Sequence, residues 1–297
     1  MKKIIIISSL LFASFTIHAC EICGCGLGNY YIGLMPHFKS KFIGVRYQFH
    51  SFHTRLSDDP TQFSNDFYQT VELWSGWNIG KRFQLITFIP FNFNHQSSDE
   101  GVTNLSGVGD IAALLNYRVI DIKRGRTSQQ LLLGAGLKIP TGRFEIEPGD
   151  PDIAAAANTQ RGSGSTDLLL NATYAIQTGK WGVNTNAGYK VNNNNNDDYK
   201  FGNKFTASSF VFYAASAGKT NLSPNAGLLF EHNESSRLAS SKIDLTGGSL
   251  LQAAAGLEVG FNKVSVGLNI QLPVAQNFAE GQTKSQVKGM LHVTFAL

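Results

Sequence analysis

The 297-residue chain carries 25 Lys and Arg against 21 Asp and Glu, a formal net charge of +4, and only 15% of its residues are charged. With no Lys/Arg block, that charge offers no footprint for nucleic acid. Beyond the N-terminal run, no stretch approaches the roughly 20 consecutive apolar residues of a membrane helix, which excludes a helical membrane protein.

Met1-Lys2-Lys3, the apolar run from Ile4 and the small-residue end Ile17-His18-Ala19 have the order of an export signal. Residues 1–19 are therefore expected to be a signal peptide, with the mature chain starting near Cys20. Cys20, Cys23 and Cys25 are the only cysteines, an unusual set of close thiols for an oxidising periplasm. Three readings stand. The thiols are soft ligands for Cu(I) or Zn, helped by Met35 or His37. Alternatively Cys20 is acylated, since Ile17-His18-Ala19-Cys20 resembles a lipobox from which His18 departs. In the third reading one disulfide forms and one thiol is spare. Residues 20–40 are expected to form a Cys-rich periplasmic segment ahead of a barrel over 41–297.

From residue 41 onward, runs of about ten residues alternate apolar with small or polar side chains, the signature of a transmembrane antiparallel β-barrel. Twelve strands are predicted, near 41–54, 67–79, 83–95, 107–121, 130–141, 165–178, 180–192, 204–217, 221–233, 248–261, 263–276 and 287–297. Val264, Val266, Leu268, Ile270, Leu272 and Val274 share one parity, against Ser265, Gly267, Asn269 and Gln271 on the other. A soluble sandwich would carry far more Lys and Glu on its outer face. An even count suits a closed bacterial barrel, and closure removes edges that lipid cannot hydrogen-bond. Short connections at 80–82, 123–129, 179, 218–220 and 262 alternate with long ones at 55–66, 96–106, 142–164, 193–203, 234–247 and 277–286. Short turns belong on the periplasmic side of such barrels, so both termini are expected to be periplasmic. Trp77, Phe83, Trp181, Tyr189, Phe261 and Phe295 fall near strand ends and fit interfacial girdles.

On this parity the lumen receives Arg46, Glu72, Asp110, Arg118, Lys138, Asp167, Lys190, Glu258 and His292. Charges inside a narrow barrel either pair with one another or line water, and no ring of a single sign marks a strongly selective ion pore. The loop from Arg143 to Ser163, with Glu145, Glu147, Asp150, Asp152 and Ala154 to Ala157, is the candidate for a fold-in constriction. Prolines at 90, 140, 224 and 273 predict kinks or bulges, because proline cannot donate to a strand ladder. The last strand ends in Phe295 and Leu297 on the apolar parity. It resembles the signal read by outer-membrane barrel assembly machinery, with leucine in place of the usual terminal aromatic.

Ser106-Gly107-Val108-Gly109-Asp110-Ile111, then Lys138-Ile139-Pro140-Thr141-Gly142, then Gly164-Ser165-Thr166-Asp167 give the middle third of the chain a further identity. In order and spacing they resemble the outer-membrane transporter family named for the MetA pathway of phenol degradation. The resemblance implies a transporter-like barrel for small, often apolar or aromatic compounds. No Gly-x-Ser-x-Gly elbow with acid and His partners and no HExxH motif is present, so an enzyme is not expected. The sequence thus predicts a bacterial outer-membrane channel or transporter for a small solute, embedded in lipid. The alternative is a membrane-anchored metal-binding module, copper-linked through the N-terminal cysteines.

Overall fold

The computed structural model describes residues 41–57, 61–99, 101–146 and 153–297. In chain order the strands are β1 (Phe42–Arg55), β2 (Phe63–Ile79), β3 (Phe83–Ser98), β4 (Gly101–Val108), β5 (Ile111–Arg124) and β6 (Thr127–Ile139). The helix α1 (Ile153–Thr159) follows. After it come β7 (Asp167–Thr178), β8 (Trp181–Val191), β9 (Tyr199–Lys200), β10 (Lys204–Tyr213), β11 (Ala215–Ala217), β12 (Thr220–Asn233), β13 (Arg237–Leu238) and β14 (Ser241–Lys242). The chain ends with β15 (Gly248–Phe261), β16 (Val264–Phe278) and β17 (Thr283–Ala296).

Each long strand pairs antiparallel with its neighbour, β1 pairs with β17, and β10 pairs with both β8 and β12, so the sheet closes on itself. β4 with β5, and β10 with β11, each make one stave interrupted along its length, which gives a barrel of twelve staves. Closure satisfies every ladder without an edge, the condition for crossing lipid with strands. The small sheet β14-β13-β9 lies apart from the barrel ladder.

The alternation read in the sequence is the inside and outside of this wall. Val264, Val266, Leu268, Ile270, Leu272 and Val274 are all exposed, while Gly267, Asn269 and Gln271 between them are buried. The closing strand repeats it, with Leu291, Val293 and Phe295 out and His292 and Thr294 in. An apolar outer face and a polar, buried inner face invert the pattern of a soluble protein and match a lipid-facing wall. One rim is made of two- and three-residue turns, at which Gly80, Gly125, Gly179, Gly218 and Asn262 take positive φ, as tight hairpins favour. Lys41 and Leu297 meet at that rim, where the Leu297 amide donates to the Lys41 carbonyl at 2.9 Å. Exposed Trp77, Phe83, Trp181, Phe261 and Phe295 gather there. Arg82 lies over the Tyr117 ring at 5.9 Å, and Lys180 over Tyr213 and Lys263 over Phe295 at 5.8 Å each, an arrangement suited to an interfacial girdle. Tyr189, of the same expected class, lies near the other end of β8.

Several expected loops are strand. Residues 96–106 extend the β3/β4 hairpin, β6 starts at Thr127 rather than after residue 129, and 277–286 is a hairpin closed by a 3₁₀ turn at Ala279–Gly281. Period-2 patterning fades beyond the lipid zone, because both faces of a hairpin in water accept polar residues. The expected strand 107–121 is broken at Gly109–Asp110. Opposite the break stands Pro90, whose carbonyl accepts from the Gly109 amide at 2.9 Å. Pro273 marks a second irregularity: the β15–β16 register slips between Leu251 and Gln252, and β16–β17 pairing lapses from Gln271 to Phe278. There Gln276 Oε1 accepts from the Ser285 amide at 2.7 Å, so a side chain stands in for the missing ladder bond.

Candidate functional site: a buttressed lumen and its inserted segment

Two charged networks occupy the inner wall. The first is a transverse row over five staves, set by register: Glu72 opposite Arg46, Arg46 opposite His292, His292 opposite Gly267, and Gly267 opposite Glu258. Arg46 and Glu72 form a buried ion pair, and the guanidinium lies over the rings of Trp74 and Phe88 at 5.2 and 5.7 Å. Trp74 in turn stacks on His292 at 5.9 Å. His292 Nε2 meets Glu258 Oε2 at 2.9 Å, across the intervening strand. That contact exists because residue 267 has no side chain: a Cβ there would sit 1.9 Å from His292 Nε2.

The second network joins three motifs distant in sequence. Lys138 on β6 faces Asp167 on β7 directly in register. Its Nζ lies 2.8 Å from Asp110 Oδ2 and 2.6 Å from Asp167 Oδ2, and all three side chains are buried. The Asp110 contact is an aligned hydrogen bond. The Asp167 contact is an ion pair by distance, its Oδ2 being off the hydrogen-bonding line. The ammonium also meets the Ser163 hydroxyl. Asp110 accepts from the Gly142 amide at 3.0 Å, and from the Ser163 amide and hydroxyl at 2.9 Å each. Asp167 accepts from Ser165 Oγ at 2.8 Å and the Asn193 amide at 3.1 Å. Burial of two carboxylates is tolerable only with such pairing and bonding. The carboxylates and Lys138 thereby tie both ends of the long segment between β6 and β7 to the wall.

That segment turns inward. Helix α1 leaves carbonyls at its C-terminus without intrahelical partners, and the inner face of β3 supplies donors for the chain that follows. Asn94 Nδ2 donates to the carbonyls of Thr159 and Gln160 at 2.8 and 3.1 Å, and Asn92 Nδ2 to that of Arg161 at 2.9 Å. Arg161 Nη1 reaches the Ser106 carbonyl at 3.1 Å. Gly142 and Gly162 bring two backbones so close that a Cβ on either would lie 2.7 Å from the other's Cα. The helix packs under an apolar cap: buried Ala157 clusters with Tyr199 and Phe201, and Phe144, Ile146, Leu238 and Ile243 pack on them. The described parts of the loop, residues 142–146 and 153–163, turn inward against the wall as expected of it; Glu147, Asp150 and Asp152 lie outside the described residues.

Of the residues assigned to the lumen, Arg46, Glu72, Glu258 and His292 fall in the first network and Asp110, Lys138 and Asp167 in the second. Lys190 stands on a separate part of the inner wall, in a recess it shares with Lys204. Arg118 differs: it sits at the short-turn rim, donating to the Lys81 carbonyl at 3.1 Å. It keeps the inner parity, opposite buried Leu132, and the β5–β6 register shifts only after it. Sequence reasoning missed Asn94, Ser163, Lys204 and Glu231. The parity of β3 and β10 carried the signal for Asn94 and Lys204, while Ser163 lies in a segment without periodicity. The metal candidates Cys20, Cys23, Cys25, Met35 and His37 lie outside the described residues. Among the described residues no group of three or more His, Cys, Asp or Glu side chains is disposed to hold a metal ion.

A closed twelve-stave wall with an apolar exterior, a polar interior and an inserted segment defines an outer-membrane β-barrel of the channel class, at home in the bacterial outer membrane. Comparison with solved structures agrees. The barrel resembles an outer membrane channel from Pseudomonas putida F1 with a TM-score of 0.62 and 19% identity, over 87% of this chain and 96% of that one. It also resembles the β-domain of the Bordetella autotransporter BrkA with a TM-score of 0.52 and 9% identity, over 87% of this chain and 100% of that one. Residues 53–283 match the family model described as "Putative MetA-pathway of phenol degradation", and the chain belongs to that family. No curated protein matches it.

Proposed function

We propose that the protein is a non-enzymatic channel that passes a small solute across the outer membrane, with apolar or aromatic compounds the first to test given the family's description. Arg46, Glu72, Asp110, Lys138, Asp167, Lys190, Glu258 and His292 line or buttress the path, Arg118 stands near its rim, and the inserted residues 142–146 and 153–165 narrow it. The observation that carries this reading is the inserted segment held by wall side chains made for it. Asn92 and Asn94 donate to its carbonyls, and the Lys138 cluster fixes its ends. A barrel serving only as an anchor has no need of a fitted constriction. The short-turn rim and both termini face the periplasm, and assembly machinery reads the last strand.

Planar-bilayer conductance in KCl and liposome swelling with small solutes test the proposal. Discrete conductance steps and size-limited swelling are expected. A folded barrel, shifted on unheated gels, that gives neither would refute it.

A further inference from the structure

The short-turn rim is basic around its whole circumference. Lys81 and Arg82 fill the turn between β2 and β3, residues 123–126 read Lys-Arg-Gly-Arg, and Lys180, Lys219 and Lys263 each occupy a turn of their own. All of these are exposed, and so is Lys41 ahead of β1. Among the described residues the one carboxylate near this rim is Asp121, which meets Arg118 at 3.7 Å. Exposed acids such as Asp99, Asp197, Asp198, Asp244 and Glu280 lie instead on the long-loop side. A chain with only 15% charged residues thus gathers positive charge at one end of its barrel.

Three of these cations are seated on rings of the girdle, Arg82 on Tyr117, Lys180 on Tyr213 and Lys263 on Phe295. Such seating lays the aliphatic stem along apolar surface and holds the charged head where hydrocarbon gives way to headgroups. The charge is densest where two turns adjoin. The Gly179 amide donates to the Arg126 carbonyl at 3.0 Å, and Thr127 stands opposite Thr178, so Lys180 comes up beside the 123–126 turn. Next to it Trp181, 61% exposed, and Tyr213 pair with ring centroids 5.0 Å apart.

Basic side chains close to an anionic membrane surface favour it by about fivefold each, an attraction that fades within a Debye length. The distribution tells which anion is met. A soluble protein or polymer touches one sector of a rim, whereas the lipid annulus touches every turn, and every short turn here carries a cation. We infer that the short-turn rim binds the headgroups of anionic phospholipid, phosphatidylglycerol being the simplest, with residues 123–126 and Lys180 as the strongest point of contact. That this leaflet is the periplasmic one rests on the orientation proposed above; the binding itself does not, and symmetric vesicles test it separately.

The test is tryptophan quenching of the folded full chain in phosphatidylcholine vesicles, with brominated acyl chains carried either by added phosphatidylglycerol or by phosphatidylcholine. In a Trp77→Phe background Trp181 reports on the lipid beside the patch, because Trp74, the third tryptophan, is buried. A preference for phosphatidylglycerol of about fivefold or more is expected. It should vanish in K123Q/R124Q/R126Q/K180Q, persist in K123R/R124K/R126K/K180R, and shrink as KCl rises. Equal quenching by the two lipids would overturn the inference and turn the rim toward a soluble anionic partner. An undiminished preference in the glutamine variant, or one that salt leaves untouched, would overturn it as well. If the glutamine variant does not fold, the salt series on the wild type decides. A salt-sensitive preference together with surface labelling of the short turns on whole cells would uphold the binding and refute the orientation.

Discussion

Replacing Lys138 by Met removes the cation between two buried carboxylates and keeps most of the length of the side chain. Asp167 is fully buried and Asp110 is 5% exposed, so neither is relieved by water in the native arrangement. Taking one partner from a buried ion pair costs about 3–5 kcal/mol. Here the strain falls on the clamp rather than on the barrel ladder, because Asp110 bonds Gly142 and Ser163 and Asp167 bonds Ser165. The cheapest relief is to release these contacts and let the carboxylates hydrate, which unseats the inserted segment. At about 1.4 kcal/mol per tenfold, the seated state loses a factor of about 100 or more. Single-channel recording of K138M should show larger and noisier conductance than wild type. Trypsin should cleave at Arg161, which is half-buried in the seated segment. Neutralising all three side chains in K138M/D110N/D167N should return part of the seated population. A K138M channel with wild-type conductance and an unchanged digestion pattern would refute the clamp.

Arg46→Met leaves Glu72 buried without its cation and should lower stability in urea by about 3–5 kcal/mol, while R46M/E72Q should recover much of the loss, as expected for coupled neighbours. Gly267→Ala places a Cβ 1.9 Å from His292 Nε2 and 2.3 Å from Glu258 Oε1; the pair must part, at a cost of about 1–3 kcal/mol as in other overpacked sites, read as a lower unfolding midpoint. Cysteine introduced at exposed Ser241, on the long-loop side, should react with an impermeant maleimide on whole cells, and cysteine at exposed Lys219, in a short turn, should not. The reverse pattern would place the termini outside.

Much of this was legible because strand periodicity is a local property. A residue such as Leu268 faces lipid because of its parity with Val266 and Ile270, and no distant contact is needed to see it. The rim turns were legible for the same reason, since Gly179 and Gly218 announce positive φ between two runs. The strand breaks were harder. Pro90 signalled a fault in its own strand, but the interruption appears in the neighbouring stave at Gly109–Asp110, a consequence of pairing that composition does not contain. Hairpins beyond the lipid zone were read as loops because water removes the constraint that creates alternation.

The charged residues divide along the same line. Parity placed Arg46, Lys138 and Glu258 on the inner face, but which of them pair depends on register, and register is set by closure. Lys138 finds Asp167 because β6 and β7 are paired neighbours whose register sets the two residues opposite each other. It finds Asp110 because the Pro90 fault frees the chain to turn inward there. His292 finds Glu258 two staves away only because Gly267 lies between them. The three family motifs show why their order and spacing carried more weight than any one of them. Ser106 to Ile111, Lys138 to Gly142 and Gly164 to Asp167 are the strand ends that meet around one ammonium and one inserted segment. Their glycines admit the close approach of Gly142 to Gly162, and their charges hold it. Motifs weak in isolation are thus parts of one clamp, and a chain that kept the alternation but lost any one of the three would still close as a barrel while losing its fitted constriction.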